Sequence, residues 1–193
     1  FVTGKEIGEY GQELIEKRVE RYRQAQEDAK SPGVLPLEGV PTGLPTLDNL
    51  SLGYKPGDLI LLAAQTGHGK TAFAMQTSKA VCIDGGKPLF YLNTEMNKDQ
   101  ITTRWGSMLS NQLAQQLRIG SLTNAQLAAT KEAYKRLIDS NFITYKLASP
   151  TASRVDILTR KAKLQYNIEM MILDYVGRMQ KLQKGLEEWQ VLE

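Results

Sequence analysis

The chain has 193 residues, of which 41% are hydrophobic and 23% charged, a composition typical of a folded protein with one core. Its net charge of +3 comes from 24 basic and 21 acidic side chains. A charge balance this close to neutral does not by itself indicate nucleic-acid binding. The single cysteine, Cys82, excludes an intrachain disulfide, and we expect it to be an apolar side chain packed on a helix. No apolar run approaches the ~20 residues of a membrane span, so no membrane partner is expected, and the lone cysteine favours a reducing compartment.

The first predicted element is a polar helix within residues 1–30. Thr3 and Glu6 form a capping-box pattern at its start. Apolar residues then recur at spacings of three to five, as a single stripe: Ile7, Tyr10, Leu14, Val19 and Tyr22. A stretch rich in proline and glycine, residues 31–46, predicts a linker. The stripe could pack on the helix's own domain or on a neighbouring subunit, and the sequence pattern leaves both possibilities open.

Residues 47–193 alternate between strand and helix patterns. Strands are predicted at residues 59–64, 89–92, 142–147 and 170–173. Helices are predicted between them, at residues 69–85, 98–109 and 123–138 and around 155–162. This alternation predicts an α/β fold with a mostly parallel sheet covered by helices.

The segment from Ala64 to Thr71 ends in Gly-Lys-Thr and matches the closing half of a P-loop, with Ala64 in place of the first glycine. Glycines allow the backbone N–H groups of such a loop to surround phosphates at a helix N-terminus. Lys70 would neutralise the β- and γ-phosphates of a nucleoside triphosphate, and the Thr71 hydroxyl would ligate Mg²⁺. The expected binding residues are Gln65, Thr66, Gly67, His68, Gly69, Lys70, Thr71 and Ala72.

Two carboxylates are expected beside this loop. Four apolar residues lead into Asp174, which is typical of a Walker B strand whose aspartate holds Mg²⁺. Glu95 follows the predicted strand at residues 89–92 and should project from the same edge of the sheet. A carboxylate there can activate the water that attacks the γ-phosphate, so Glu95 and Lys70 are the candidate catalytic residues.

With these motifs, the sequence resembles the motor domain of DnaB-type replicative helicases. The resemblance covers, in order, the stretches at residues 39–48 and 53–60, the P-loop, Thr94-Glu95-Met96, residues 116–123 and Ile172-Leu173-Asp174-Tyr175. Members of that family commonly carry alanine at the position of Ala64. The resemblance places Glu95 at the family's catalytic base and Asp174 at its Walker B carboxylate.

The resemblance implies a RecA-like P-loop NTPase core preceded by a separate linker helix. It also implies an ATP- and Mg²⁺-dependent helicase (or one that uses another NTP) that translocates 5′→3′ along single-stranded DNA as a homo-hexameric ring. In the family, the linker helix, here residues 3–28, docks on the adjacent motor domain, and primase and a helicase loader are partners. The expected location is the cytoplasm of a bacterium, or of a host cell for a phage protein.

Two departures from the family pattern stand out. Gly177 occupies a position where the family usually has glutamine, and Gln180 could substitute for it. The chain does not begin with Met and ends before the family's DNA-binding loop and arginine finger, so we expect a truncated motor domain with weak or absent turnover. Arg178, Lys181 and Lys184 could contact single-stranded DNA or form a solvated basic loop.

Two other functions fit the same motifs. A RecA- or RadA-type recombinase shares the fold and the P-loop but forms filaments and promotes strand exchange. A nucleotide-regulated helicase loader or scaffold would bind nucleotide without motor activity. His68 lacks partner ligands for a metal and is expected to be a variable loop residue, and Trp105 is expected to pack in the core.

Overall fold

The computed structural model describes residues 2–28 and 35–179. By the density of internal contacts, the chain divides into two units, residues 1–58 and residues 59–193. The first unit carries the long N-terminal helix, and the second carries the sheet and the candidate site.

The first helix, α1, spans Gly4–Asp28 and confirms the helix expected at the N-terminus. The Thr3–Glu6 capping pair is formed: the Thr3 backbone N–H donates to Glu6 Oε2 at 2.8 Å, and the Glu6 N–H donates to Thr3 Oγ1 at 3.3 Å. The apolar stripe of α1 is largely exposed, with Ile7 and Tyr10 at 61% and 65%. Exposure of this kind is consistent with a stripe that packs on another surface.

The remainder of the first unit contains a short helix that the sequence patterns did not predict. This helix, α2, spans Pro45–Ser51, and proline stands at its first turn. Because proline presets φ and needs no donor there, a residue that suggested a linker in fact starts a helix. Ahead of α2, Thr42 N–H donates to Asp48 Oδ1 at 2.7 Å. Glu38 forms ion pairs with Arg18 of α1 at 3.0 Å and with Lys55 at 3.1 Å.

The second unit contains three strands and five helices among the described residues. The strands are β1 (Leu89–Asn93), β2 (Phe142–Lys146) and β3 (Met170–Asp174). The helices are α3 (Lys70–Ser78), which continues as a π-helix over Lys79–Asp84, α4 (Lys98–Ser110), α5 (Ala114–Ile119), α6 (Asn124–Ile138) and α7 (Ala152–Tyr166). A 3₁₀ turn follows β3 at Val176–Arg178. Every strand and helix predicted from residue 69 onward is therefore confirmed, with small differences at the ends.

The sheet is parallel, with the strand order β2–β1–β3. The central strand, β1, is buried along its whole length. One face of β1 presents Phe90 and Leu92, which pack with Ala162 of α7 and with Ile168. The opposite face carries Tyr91, whose ring lies 6.0 Å from that of Phe142, and Phe142 in turn makes an edge contact with Trp105 of α4 at 4.9 Å. Helices thus cover both faces of the sheet, as expected for a parallel sheet.

Capping side chains set the starts of two helices in this unit. Thr123 and Gln126 form the predicted capping box at the start of α6, with a 2.9 Å bond from Thr123 N–H to Gln126 Oε1. Asn97 and Gln100 form a second one at the start of α4. Such boxes satisfy helix N–H groups that lack an intrahelical partner, so they determine where these helices begin.

The strand predicted at residues 59–64 was wrong. Among the described residues, this segment pairs with none of the three strands, and Leu59 and Leu61 are 86% and 74% exposed. A continuous apolar run indicates a preference for burial, but it does not specify a hydrogen-bonding partner. The described part of the chain pairs no strand with this segment, so it stays outside the sheet.

Two side chains occupy the core positions expected for them. Trp105 is fully buried on α4. Cys82 is buried in the π-helix, and burial raises the pKa of its thiol to about 12. Since the thiolate is the reactive form, Cys82 is an inert packing residue.

Candidate nucleotide and metal site

The loop before α3 has the backbone conformation that a phosphate-binding loop requires. Gly67 and Gly69 have φ angles of +82° and +86°, in the left-handed region that glycine adopts without strain. Gly69 is the N-cap residue of α3, so the loop leads directly into a helix N-terminus. A Cβ added at either glycine would meet nothing within 4 Å, so there is open space beside the loop. Backbone N–H groups arranged in this way can bind an anion.

Lys70 folds back over this loop. Its Nζ donates to the backbone carbonyls of Ala64 and Gln65, the latter at 3.1 Å. His68 makes a further local contact, with Nδ1 lying 3.2 Å from the Thr66 carbonyl oxygen. The ammonium group of Lys70 therefore lies at the mouth of the loop, where it can exchange carbonyl partners for phosphate oxygens.

Asp174 stands at the carboxyl end of β3, next to Asn93 at the end of β1. Helix α3, which begins with Lys70 and Thr71, contacts β3. The Tyr91 hydroxyl donates to Asp174 Oδ2 at 2.5 Å. Burial raises the pKa of Tyr91 well above its usual value, the Asp174 carboxylate adds to that rise, and the charge of Arg104 opposes it. Tyr91 therefore remains a hydroxyl donor at physiological pH.

Glu95 lies in a turn that Asn93 organises. The Asn93 side-chain oxygen accepts from the N–H of Glu95 at 3.0 Å and from the N–H of Met96 at 2.8 Å. Asn93 is 1% exposed, and its amide nitrogen donates to the Met96 carbonyl. A buried side chain with three bonds to one turn holds that turn in a single conformation. The carboxylate of the exposed Glu95 is thereby presented just beyond the end of β1.

Thr94 joins this turn to the end of β3. Its backbone N–H donates to the Asp174 carbonyl at 2.9 Å, and its hydroxyl donates to the same carbonyl at 3.1 Å. The hydroxyl oxygen also accepts from Tyr175 N–H at 3.2 Å. Tyr91, Asn93 and Thr94 were not predicted as site residues. The one sequence signal was Asn93 two residues before Glu95, a spacing typical of an Asx-turn.

We expect Thr94→Val to destabilise the second unit without changing its shape. The substitution removes the hydroxyl and leaves the part-buried Tyr175 N–H without that acceptor, which should lower the free energy of unfolding by about 1–3 kcal/mol. Urea denaturation followed by circular dichroism measures this. Thr102→Val, at an exposed position on α4, is the matched control and should stay within about 0.5 kcal/mol of wild type. Equal stability of Thr94→Val and wild type would show that the hydrogen bonds of the Thr94 hydroxyl do not contribute to the free energy of unfolding.

The donor chemistry at this edge fits Mg²⁺ bound together with a polyphosphate. Thr71, in the first turn of α3, offers a hydroxyl, and Asp174 offers a carboxylate, both of them hard oxygen ligands. Among residues 2–28 and 35–179, no cluster of three His, Cys, Asp or Glu residues could hold a metal by itself. Mg²⁺ usually combines one or two protein ligands with phosphate oxygens and waters, so the two oxygen donors of Thr71 and Asp174 suit such a site.

The residues beyond β3 are partly described. Arg178 ends the 3₁₀ turn, and Lys181, Lys184 and Gln180 lie outside the described residues. At Gly177, an added Cβ would lie 2.6 Å from the Tyr175 ring. The small residue at this point, where the resembling family usually has glutamine, thus accommodates the ring of Tyr175.

A covered parallel sheet, a glycine loop at a helix N-terminus and a strand ending in a carboxylate together define a RecA-like P-loop core. Residues 39–192 match the DnaB-like helicase C terminal domain, so the chain belongs to this family. The resemblance noted from the motifs is therefore confirmed.

Similar curated proteins are replicative helicases. The chain is 28% identical over 144 residues to the replicative DNA helicase DnaC of Bacillus subtilis (strain 168), covering 75% of this chain and 32% of that protein. It is 30% identical over 145 residues to the replicative DNA helicase DnaB of Leifsonia xyli subsp. xyli (strain CTCB07), with coverages of 74% and 31%. The chain thus spans about a third of the length of these relatives.

Solved structures support the fold. One ATPase domain superposes with a TM-score of 0.75 at 21% identity, over 93% of this chain and 62% of that one. A DnaB-like replicative helicase, in a structure concerned with its interactions with primase, also gives 0.75, at 20% identity, over 91% of this chain and 42% of that one. Among the described residues, every helix is too short or too polar to cross a bilayer.

Proposed function

We propose that the chain is the nucleotide-hydrolysing part of a replicative DNA helicase motor that uses ATP, or another nucleoside triphosphate, with Mg²⁺. The observation that carries this proposal is the shared edge of the sheet: the glycine loop leads into α3, α3 contacts β3, and β3 ends at Asp174. Glu95 is joined to the same edge through Thr94. The match to the DnaB-like helicase C terminal domain over residues 39–192 supports the helicase assignment over other P-loop proteins.

Each of the predicted residues has a role in this proposal. Backbone groups of residues 65–72 surround the phosphates, and Lys70 neutralises the β- and γ-phosphates. Thr71 and Asp174 would hold Mg²⁺, which when bound would offset the negative charge that develops on the phosphates during the reaction. Glu95 takes the proton from the attacking water as that water adds to the γ-phosphorus and the bond to the β-phosphate oxygen breaks.

The assembly and partners follow from the family and stay proposals. Residues 3–28 would dock on a neighbouring motor domain through their exposed apolar stripe and close a homo-hexameric ring. Single-stranded DNA would pass through the ring with 5′→3′ polarity, in contact with Arg178, Lys181 and Lys184. Primase and a helicase loader are the proposed protein partners, and the bacterial or phage-infected cytoplasm is the proposed location. The proposed functional divisions are a linker helix (1–30), a linker (31–46) and a part of the motor domain (47–193).

Duplex unwinding tests the helicase assignment. We expect the complete protein to displace a labelled strand from a forked duplex only with a hydrolysable triphosphate and Mg²⁺, and to form closed rings in negative stain. Open filaments with strand exchange would instead indicate a recombinase of the RecA or RadA type. Nucleotide binding without DNA-stimulated hydrolysis would indicate a loader or scaffold. Either result would overturn the proposal.

A further inference from the structure

The Tyr91 hydroxyl is hydrogen-bonded to a carboxylate side chain on a neighbouring strand. Tyr91 is 1% exposed, in the central strand, and a buried hydroxyl requires a hydrogen-bond partner. Most side-chain hydrogen bonds are made to the backbone or to water rather than to another side chain. Tyr91 instead donates to the carboxylate of Asp174, 83 positions further along the chain, at 2.5 Å. That distance lies within the range of about 2.5–2.7 Å for a hydroxyl bonded to a charged oxygen, the stronger kind of hydrogen bond.

The register of the strands explains how the two side chains meet. Tyr91 is opposite Ile172 in the parallel pairing of β1 with β3, and Asn93 is opposite Asp174. Because side chains alternate along a strand, Tyr91 and Asp174 project from the same face and are diagonal neighbours. The Tyr91 ring contacts Phe142 of β2 on its other side, so packing as well as hydrogen bonding limits its movement.

Asp174 is therefore held at two points. The Thr94 hydroxyl and N–H bind its backbone carbonyl, and the Tyr91 hydroxyl binds Oδ2 of its carboxylate. A carboxylate bonded at one oxygen cannot rotate freely about its Cβ–Cγ bond. The Asp174 carboxylate therefore presents its oxygens to a ligand in one orientation, and ligand binding does not cost it further rotational entropy.

We infer that Tyr91 is a positioning residue of the metal site, which holds the Asp174 carboxylate in the orientation that receives Mg²⁺. This inference rests on the proposed function, since it takes Asp174 to be the metal-binding carboxylate. Hydrogen bonds to metal-binding carboxylates typically contribute about 10- to 100-fold to metal affinity. Tyr91 is buried in the central strand and contacts the carboxylate of Asp174, so its effect on the metal would pass through Asp174.

Tyr91→Phe tests the inference because it removes one oxygen and keeps the ring. The 193-residue chain is titrated with a fluorescent ATP analogue at a series of Mg²⁺ concentrations and in EDTA. We expect the Mg²⁺ concentration that gives half-maximal nucleotide binding to rise by about 10-fold in Tyr91→Phe, with unchanged nucleotide affinity in EDTA. Tyr134→Phe is the matched control, because Tyr134 donates a hydrogen bond to the Thr102 carbonyl at 3.2 Å, between α6 and α4. It should leave the Mg²⁺ dependence unchanged.

The outcomes distinguish a failure of this inference from a failure of the proposed function on which it rests. If wild type binds nucleotide in a Mg²⁺-dependent way and Tyr91→Phe has the same midpoint, the positioning role is wrong while the site stands. An equal loss of nucleotide affinity with Mg²⁺ and in EDTA, or a loss of folding in Tyr91→Phe, would show a structural role and overturn the inference. If wild type shows no Mg²⁺-dependent binding, the proposed site itself is wrong.

Discussion

Replacement of Lys70 by alanine is expected to reduce triphosphate affinity by about 10- to 150-fold, because a charge-assisted contact to phosphate contributes about 1.5–3 kcal/mol. The Lys70 ammonium lies at the mouth of the glycine loop, bonded to the carbonyls of Ala64 and Gln65. In the proposed complex it leaves those carbonyls for the β- and γ-phosphates. Fluorescence titration of the 193-residue chain with ATP, ADP and AMP analogues measures the effect.

The pattern across nucleotides distinguishes phosphate recognition from damage to the loop. Affinity for AMP, which lacks the β- and γ-phosphates, should change little, and affinity for ATP should change most. Lys131→Ala, at an exposed position on α6, is the control and should match wild type for all three nucleotides. A similar loss for AMP and ATP would show that Lys70 supports the loop rather than the phosphates, and unchanged ATP affinity would exclude it from the site.

Replacement of Glu95 by alanine is expected to separate binding from hydrolysis. Glu95 is exposed at the end of β1, and the turn that presents it is held by Asn93. Loss of a general base typically costs about 10²- to 10⁴-fold in rate, whereas the phosphate-binding loop is untouched by this change. We therefore expect nucleotide affinity within about threefold of wild type and turnover in the complete protein reduced by at least about 100-fold.

Glu132→Ala provides the matched control for this experiment. Glu132 is a surface carboxylate on α6, paired with Lys135 at 3.0 Å, and its removal should leave both binding and turnover unchanged. Normal hydrolysis by the Glu95→Ala protein would show that another group activates the water. A parallel loss of nucleotide binding would show that Glu95 contributes to the binding site rather than to the chemistry.

Most of the fold after residue 69 was predictable because its signals are local. Apolar runs of strand length, capping boxes and glycine stops each indicate an element without reference to the rest of the chain. The two errors have a different origin. Pro45 starts α2 and does not interrupt structure, since proline fits the first turn of a helix. Residues 59–64 have the composition of a buried strand, but the pairing of a strand depends on its neighbours.

The residues of the candidate site were likewise predictable where their signal is local and not where it depends on distant parts of the chain. Lys70, Thr71, Glu95 and Asp174 could be proposed from motifs, because the chemistry of phosphate and Mg²⁺ demands those residue types at those spacings. Tyr91 and Thr94 could not, since their contacts with Asp174 depend on how β1 and β3 align across 80 or more positions of sequence. An apolar strand does not reveal its register, so residues that support a site from within the sheet become visible only in three dimensions.

The apolar segment at residues 59–64, which pairs with no strand among the described residues, has a practical consequence for work with this chain. Its sequence, Leu-Ile-Leu-Leu-Ala-Ala, contains no charge, proline or glycine, and its leucines at 59 and 61 are in contact with solvent. Uncharged segments of this length and composition readily add to one another as intermolecular β-strands and nucleate aggregates. Aggregation of the chain should therefore increase with its concentration, and this segment is the expected nucleating stretch.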